Sequence, residues 1–266
     1  MKNRVFFVFL ASLSLVVSHS VVADAVVARA YDIKDVAEVV VTGGGQLKLT
    51  QGDTESLRVE ASADVIDKVS VDLSGHKLRL SVKNNVGRGF NIFNWFQSGD
   101  SGYPVTYVLQ VKNLQMLDLS GGTRSKVGDL TVKNFELHCS GAAVVDFSHV
   151  NFNDFFVEQS GASQLHIPVM TGTNVKFQLS GASNTDIEQP SSTKFLVVGA
   201  SGASNFRAKP LVTSQTEADA SGASTITVQV TDFLKAGASG ASNIYYSGKA
   251  KVQSQSSGAS HINSIN

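Results

Sequence analysis

A serine-glycine unit recurs eight times at regular spacing in this 266-residue chain, and around Gly199 and Gly237 it reads GASGAS. A serine set among glycines invites comparison with the strained turn that presents a nucleophile. That turn needs its second glycine two places after the serine, whereas here glycine follows serine directly. A hydroxyl repeated at every interval is a structural signal, so no catalytic residue is assigned. His76, His138, His149, His166 and His261 are scattered, with no HExxH, CxxC or phosphate-loop sequence near them. No cofactor is expected.

Two groups of residues could still make contacts. Five places after the glycine of each unit stand Lys126, Asp146, His166, Asp186, Arg207, Thr227, Tyr245 and Asn263. Three places before it stand Asp118, His138, Glu158, Gln178, Gly199, Asp219, Gly237 and Gln255. If the units stack, residues about twenty apart become neighbours. Asp146, His166, Asp186 and Arg207 would then form a polar strip facing outward, a place for a saccharide or a ladder of ion pairs each worth ~0–1 kcal/mol. Ligands in a straight row at about 4.8 Å do not enclose an ion, so no metal is expected. The second group is Phe90, Phe93, Trp95 and Phe96, in a loop spanning Asn84–Tyr103 and flanked by Gly87, Gly89, Gly99 and Gly102. Loops of that length are usually functional or covering, and clustered apolar residues mark a contact surface or a lid.

The elements that must carry these residues follow from the repeat itself, which is the first feature to establish in any chain. The units begin at Ser120 (SGGT), Ser140 (SGAA), Ser160, Ser180, Ser201, Ser221, Ser239 and Ser257 (all SGAS), at spacings of 20, 20, 20, 21, 20, 18 and 18 residues. Every second residue around the glycine is small or apolar. Four places before stand Leu117, Leu137, Val157, Phe177, Val198, Ala218, Ala236 and Ser254. Two places before stand Leu119, Cys139, Gln159, Leu179, Ala200, Ala220, Ala238 and Ser256, with Gln159 the clear exception. Period two means strands with one buried face. A repeat near 20 residues is too short for a propeller blade, and no helical period is present. Stacked parallel coils satisfy the pattern, giving an all-β, right-handed parallel β-helix (β-solenoid) of eight coils, each of about 18–21 residues, over 114–266. The inner residues shrink toward the C-terminus, where the coils also shorten.

Upstream, residues 24–113 are β-rich and less regular. Strands are expected at Ala37–Val41, Gln46–Thr50, Ser56–Ala61, Lys68–Leu73, Lys77–Val82 and Val105–Val111. Residues 1–23 read as a signal peptide: Lys2 and Arg4 precede an apolar run from Val5 to Val17, which is too short to span a bilayer. No transmembrane segment is expected after its removal. The one cysteine, Cys139, excludes an internal disulfide and falls at a buried position. Lys and Arg number 22, as do Asp and Glu. That balance argues against nucleic acid as a partner, because a polyanion needs a basic footprint.

The stretch YDIKDVAEVVVTGGGQLKLTQGDTESLRVEASADVIDKVSVDLSGHKLRLSV and the serial SGAS units together resemble the GIN-domain family, named for autotransporter-adhesin head domains. The resemblance covers about residues 30–265. It implies a right-handed β-helix-like fold in an exported bacterial protein, and it carries over no catalytic residues. The expected function is therefore a non-enzymatic adhesin-like or envelope-binding protein, periplasmic or at the cell surface, with a glycan or an envelope protein as partner. The alternatives are a polysaccharide-active β-helix enzyme, for which the Asp146–Arg207 strip would supply acidic and basic groups, and a structural, self-associating rod.

Overall fold

The computed structural model describes residues 26–83 and 105–265. The fold is nearly all-β, with 68% of residues in strands wound into a β-solenoid of about seven turns. Eight serine-glycine corners bound seven complete intervals, which reconciles the eight units with seven turns. The alternation read from the sequence sets the winding. Leu117, Leu137, Val157, Phe177, Val198, Ala218, Ala236 and Ser254 are direct partners on successive parallel strands, so one column runs the length of the repeat. All but the last are buried.

Each corner is held by the backbone of the coil above. Gly181 has φ +75°, and a Cβ placed on it would lie 2.5 Å from the carbonyl oxygen of Gly161. A side chain is therefore refused twice, by conformation and by the neighbouring turn. The close approach lets Ala182 N–H donate to Gly161 O at 2.7 Å and Ser180 N–H donate to Gln159 O at 2.9 Å. The second serine of the unit turns inward and closes the corner: Ser183, Ser204, Ser242 and Ser260 each donate to the carbonyl three residues back, at 2.7–2.8 Å. The hydroxyls of these four serines are thereby satisfied, while that of Ser224 in the same column is buried without a partner.

The middle coils are filled by aromatic rings from different flanks. Phe135 stacks on Phe155 at 5.2 Å between centroids, and Phe177 meets Phe206 at 4.9 Å. Gln159, the polar exception, is buried but not orphaned. It hydrogen-bonds the Thr185 hydroxyl, and its amide donates to Ser163 Oγ at 3.3 Å and Asn184 O at 3.2 Å. Thr185 sits where neighbouring coils carry Leu165 and Phe206, so one polar substitution answers the other. The shorter coils lose their residues on the third flank. Ala208 to Gln215 advances seven residues while the partners Val228 to Phe233 advance five, across a register shift at Lys209–Leu211.

The N-terminal end departs from simple winding. Glu38–Thr42 and Gly45–Gln51 form a rung that pairs below with Met116–Leu119 and Thr123–Val127, and above with Lys77–Val82 and Val105–Val111. Ser56–Ser62 then runs antiparallel to Val105–Val111, Val26–Tyr31 antiparallel to that strand, and Val69–Ser74 antiparallel to Lys77–Val82. The chain climbs past its first rung, reverses to close the top, and descends through residues 112–115 to resume below. The six strands expected in this part are present within a residue at each end. The strand Val26–Tyr31 and the four-residue helix Ala63–Ile66 were not expected. The helix is too short to show a period.

Candidate functional site

The strip through Asp146, His166, Asp186 and Arg207 exists as a column of direct partners on adjacent parallel strands, continued upward by Lys126 and downward by Thr227 and Tyr245. Strand alternation turns these side chains outward, because the residues between them, such as Leu165, Thr185 and Phe206, are buried. The four line one shallow groove of about 360 Å³ together with Gln164 and Asn184. Each charge in it has a partner. Arg207 Nη1 donates to Asp186 Oδ1 at 2.8 Å, Arg124 Nη1 lies 3.8 Å from Asp146 Oδ2, and His166 Nε2 lies 3.7 Å from Glu188 Oε2. Beside this column runs one of amides, in which Asn205 Nδ2 donates to Asn184 Oδ1 at 3.0 Å. The groove is a flat, prepaired polar surface. Among the described residues no group of three or more His, Cys, Asp or Glu could hold a metal ion.

The second outward column, on the flank before the corner, gathers Asp118, His138 and Glu158. His138 Nδ1 lies 3.1 Å from Glu158 Oε2 and its Nε2 lies 3.5 Å from Glu136 Oε2. Its ring meets the Phe156 ring edge-on at 5.9 Å. Cys139, next in the chain, points inward, and burial pushes its thiol well above the ordinary range. It is a core side chain with no thiolate chemistry.

Phe90, Phe93, Trp95 and Phe96 lie outside the described residues, as does the 1–23 segment. The strands bracketing the aromatic loop are defined. Lys77–Val82 and Val105–Val111 lie directly above Glu38–Thr42 and Gly45–Gln51, whose connection is the turn Gly43-Gly44. In the other coils the strands at this position are joined by a corner of two to four residues.

Sequence reasoning missed a large concavity. It is a cleft of about 1020 Å³ on the opposite corner, where the descending crossover Lys112–Gln115 leaves a ledge above the first strand of the third flank, Leu130–Thr131. Gln51 forms its wall. Its side-chain amide donates to Lys112 O at 3.0 Å and to Thr131 O at 3.1 Å, and its carbonyl oxygen accepts from Thr131 N–H at 2.8 Å. Composition does not mark this site, since five Asn and Gln between 113 and 153 are close to the chain's average share. Its shape depends on a rung being skipped, which no period reveals.

With this geometry in place, the comparisons with known proteins can be read. The chain belongs to the family described as "Putative auto-transporter adhesin, head GIN domain", which matches residues 35–250. No curated protein matches it. Among solved structures, a putative adhesin from Parabacteroides merdae shares the fold at a TM-score of 0.80 and 14% identity, over 91% of this chain and 96% of its own. A putative adhesin from Parabacteroides distasonis does so at 0.78 and 16%, over 91% and 97%. A protein from the same organism named as a putative lipid binding protein does so at 0.77 and 18%, over 91% and 97%. These likenesses establish the fold.

Proposed function

We propose that this family member is an exported, non-catalytic, adhesin-like binding protein of the bacterial envelope, and that the outward strip through Asp146, His166, Asp186 and Arg207 is a contact surface for a polar envelope partner. The observation that carries this reading is the strip itself: side chains from four coils, in register on a stiff stack, lining one open groove. Ordering these groups in advance removes part of the entropic cost of association. The carboxylates are engaged by arginines, and the groove is shallow and open, which suits many weak contacts. Structural relatives named as putative adhesins point the same way. Among the described residues no helix is long and apolar enough to cross a membrane, in keeping with an exported protein.

The aromatic loop is a second proposed contact element in the same reading. The test is binding of the purified chain to isolated envelope fractions and to a glycan array, beside the variant His166→Ala/Arg207→Ala. Both positions are partly exposed, so the variant is expected to fold and to lose most of the binding. Equal binding by variant and wild type would remove the strip from the reading. Cleavage of acidic polysaccharides by the purified chain would replace the reading with the enzymatic one.

A further inference from the structure

We propose that the corner cleft beneath the crossover is a separate ligand site, suited to a neutral, linear, polyhydroxylated chain, that is, an oligosaccharide. The inference rests on the binding reading only in taking the protein to be a binder; its site and its ligand chemistry are independent of the charged strip. The first argument is shape. The cleft of about 1020 Å³ shares Glu38, Asn113 and Gln115 with a second cleft of about 330 Å³ that runs on to Glu55 and His76. The two clefts adjoin at these three residues, and the larger alone has room for more than a single small ring.

The second argument is chemistry. Asn113, Gln115, Asn134 and Asn153 are all exposed along it. A side-chain amide offers both donors and an acceptor, which is what a ring bearing many hydroxyls needs. Charge does not dominate: Glu38 is paired with Lys77 at 2.6 Å, Glu136 faces His138 at 3.5 Å, and Lys133 balances the rim. Met116 and Val132, both half-buried, supply a small apolar floor against which the C–H face of a sugar can lie. Clefts of mainly polar rim and small apolar floor orient a ligand through a few placed groups.

A peptide bound by strand addition is disfavoured. An extended peptide would bind by adding a strand to an open sheet edge. The edge here is that of Leu130–Thr131, and the Gln51 amide already occupies both the N–H and the C=O of Thr131. The groove is therefore closed to backbone pairing and open only to side-chain recognition. Its walls are fixed by main-chain bonds, Gln115 N–H to Ala37 O and Glu136 N–H to Gln115 O, both at 2.8 Å.

The experiment is a calorimetric titration of the full purified chain with linear neutral oligosaccharides of glucose, mannose and N-acetylglucosamine, and with an acidic uronic-acid oligomer as comparison. The variants are Asn113→Ala/Gln115→Ala, Asn153→Ala and the strip variant His166→Ala/Arg207→Ala, each checked for an unchanged melting transition. We expect saturable binding of at least one neutral oligomer, weakened about tenfold (~1.4 kcal/mol) by the Asn113→Ala/Gln115→Ala variant and unaffected by the strip variant. No saturable binding of any neutral oligomer by the wild type overturns the proposal. So does binding that survives the groove variants but is lost in the strip variant, an outcome that leaves the envelope-binding reading intact. Binding of the acidic oligomer alone overturns the neutral ligand class.

Discussion

Replacing Gly181 by alanine puts the stacking of the corners to a quantitative test, because a second glycine nearby supplies the control. Gly181 has φ +75°, and the added Cβ would meet Gly161 O at 2.5 Å and Gly161 N at 3.0 Å. The left-handed conformation costs an alanine ~1–2 kcal/mol. Forcing two backbones apart in a packed turn costs about 1–3 kcal/mol more, with the 2.7 Å bond from Ala182 N–H to Gly161 O at stake. The total is ~2–5 kcal/mol, or a fall in melting temperature of roughly 5–20 °C at the 2–4 °C per kcal/mol of a chain this size. Gly199 has no positive φ, and nothing lies within 4 Å of a Cβ placed there. Gly199→Ala should be neutral or stabilise by ~0.4–1 kcal/mol, through the unfolded chain. Gly258→Ala repeats the steric fault in the last corner, at φ +73° and 2.8 Å from Gly240 O. In a stack whose stability sums over neighbouring repeats it should loosen only the final coil. The assay is urea and thermal denaturation followed by far-ultraviolet circular dichroism. Equal shifts for Gly181→Ala and Gly199→Ala would refute the argument, since they differ only in what the stacked turn does to them.

Three further outcomes are expected. Ala220 is buried within the tapering part of the stack, so Ala220→Leu should cost ~1–3 kcal/mol by overpacking; an unchanged melting transition would place it on the outside. Gln159→Leu should cost ~1–3 kcal/mol by stranding the Thr185 hydroxyl, and adding Thr185→Val should recover part of the loss; simple additivity in the double-mutant cycle would show that the two do not share a bond. Cys139, buried and pushed upward by desolvation, should resist an aromatic disulfide reagent at pH 8 in the native protein and react at once in denaturant; fast native labelling would mean that the coil opens readily.

The repeat was legible because each rung obeys the same alternation, and a stack converts alternation into columns without any long-range choice. That is why the strip from Asp146 to Arg207 could be written down from numbers alone and is found in register. Gln159 was visible as an irregularity in its column; its partner Thr185 was not singled out. Their compensation was not visible, because it runs diagonally between coils 26 residues apart. The cleft was illegible for a stronger reason. It exists because Val105–Val111 lies above Gly45–Gln51 although it follows it in sequence, and the descent past that rung leaves a step. Nothing in the local pattern of residues 105–119 distinguishes a strand that continues the winding from one that closes the top.

The two ends of the stack bear on which surfaces the molecule can use. A solenoid extended by end-to-end pairing needs parallel edges and matching apolar columns at both ends. At the bottom, two of the inward columns finish in Ser254 and Ser256, both exposed, where the coil above carries buried Ala236 and Ala238, while two others finish in the half-buried Val252 and Ile262. The strand there begins at Lys251, and charged or polar edges resist pairing. At the top, the strands Ser56–Ser62 and Val69–Ser74 run against the direction of the coils beneath them, so a second stack arriving from above finds reversed strands. Both proposed contact surfaces lie instead on the flanks. Those carry the charged strip on one side of the serine-glycine corner and the amide-lined groove on the other, two surfaces of different chemistry held at fixed separation by the same column of stacked glycines.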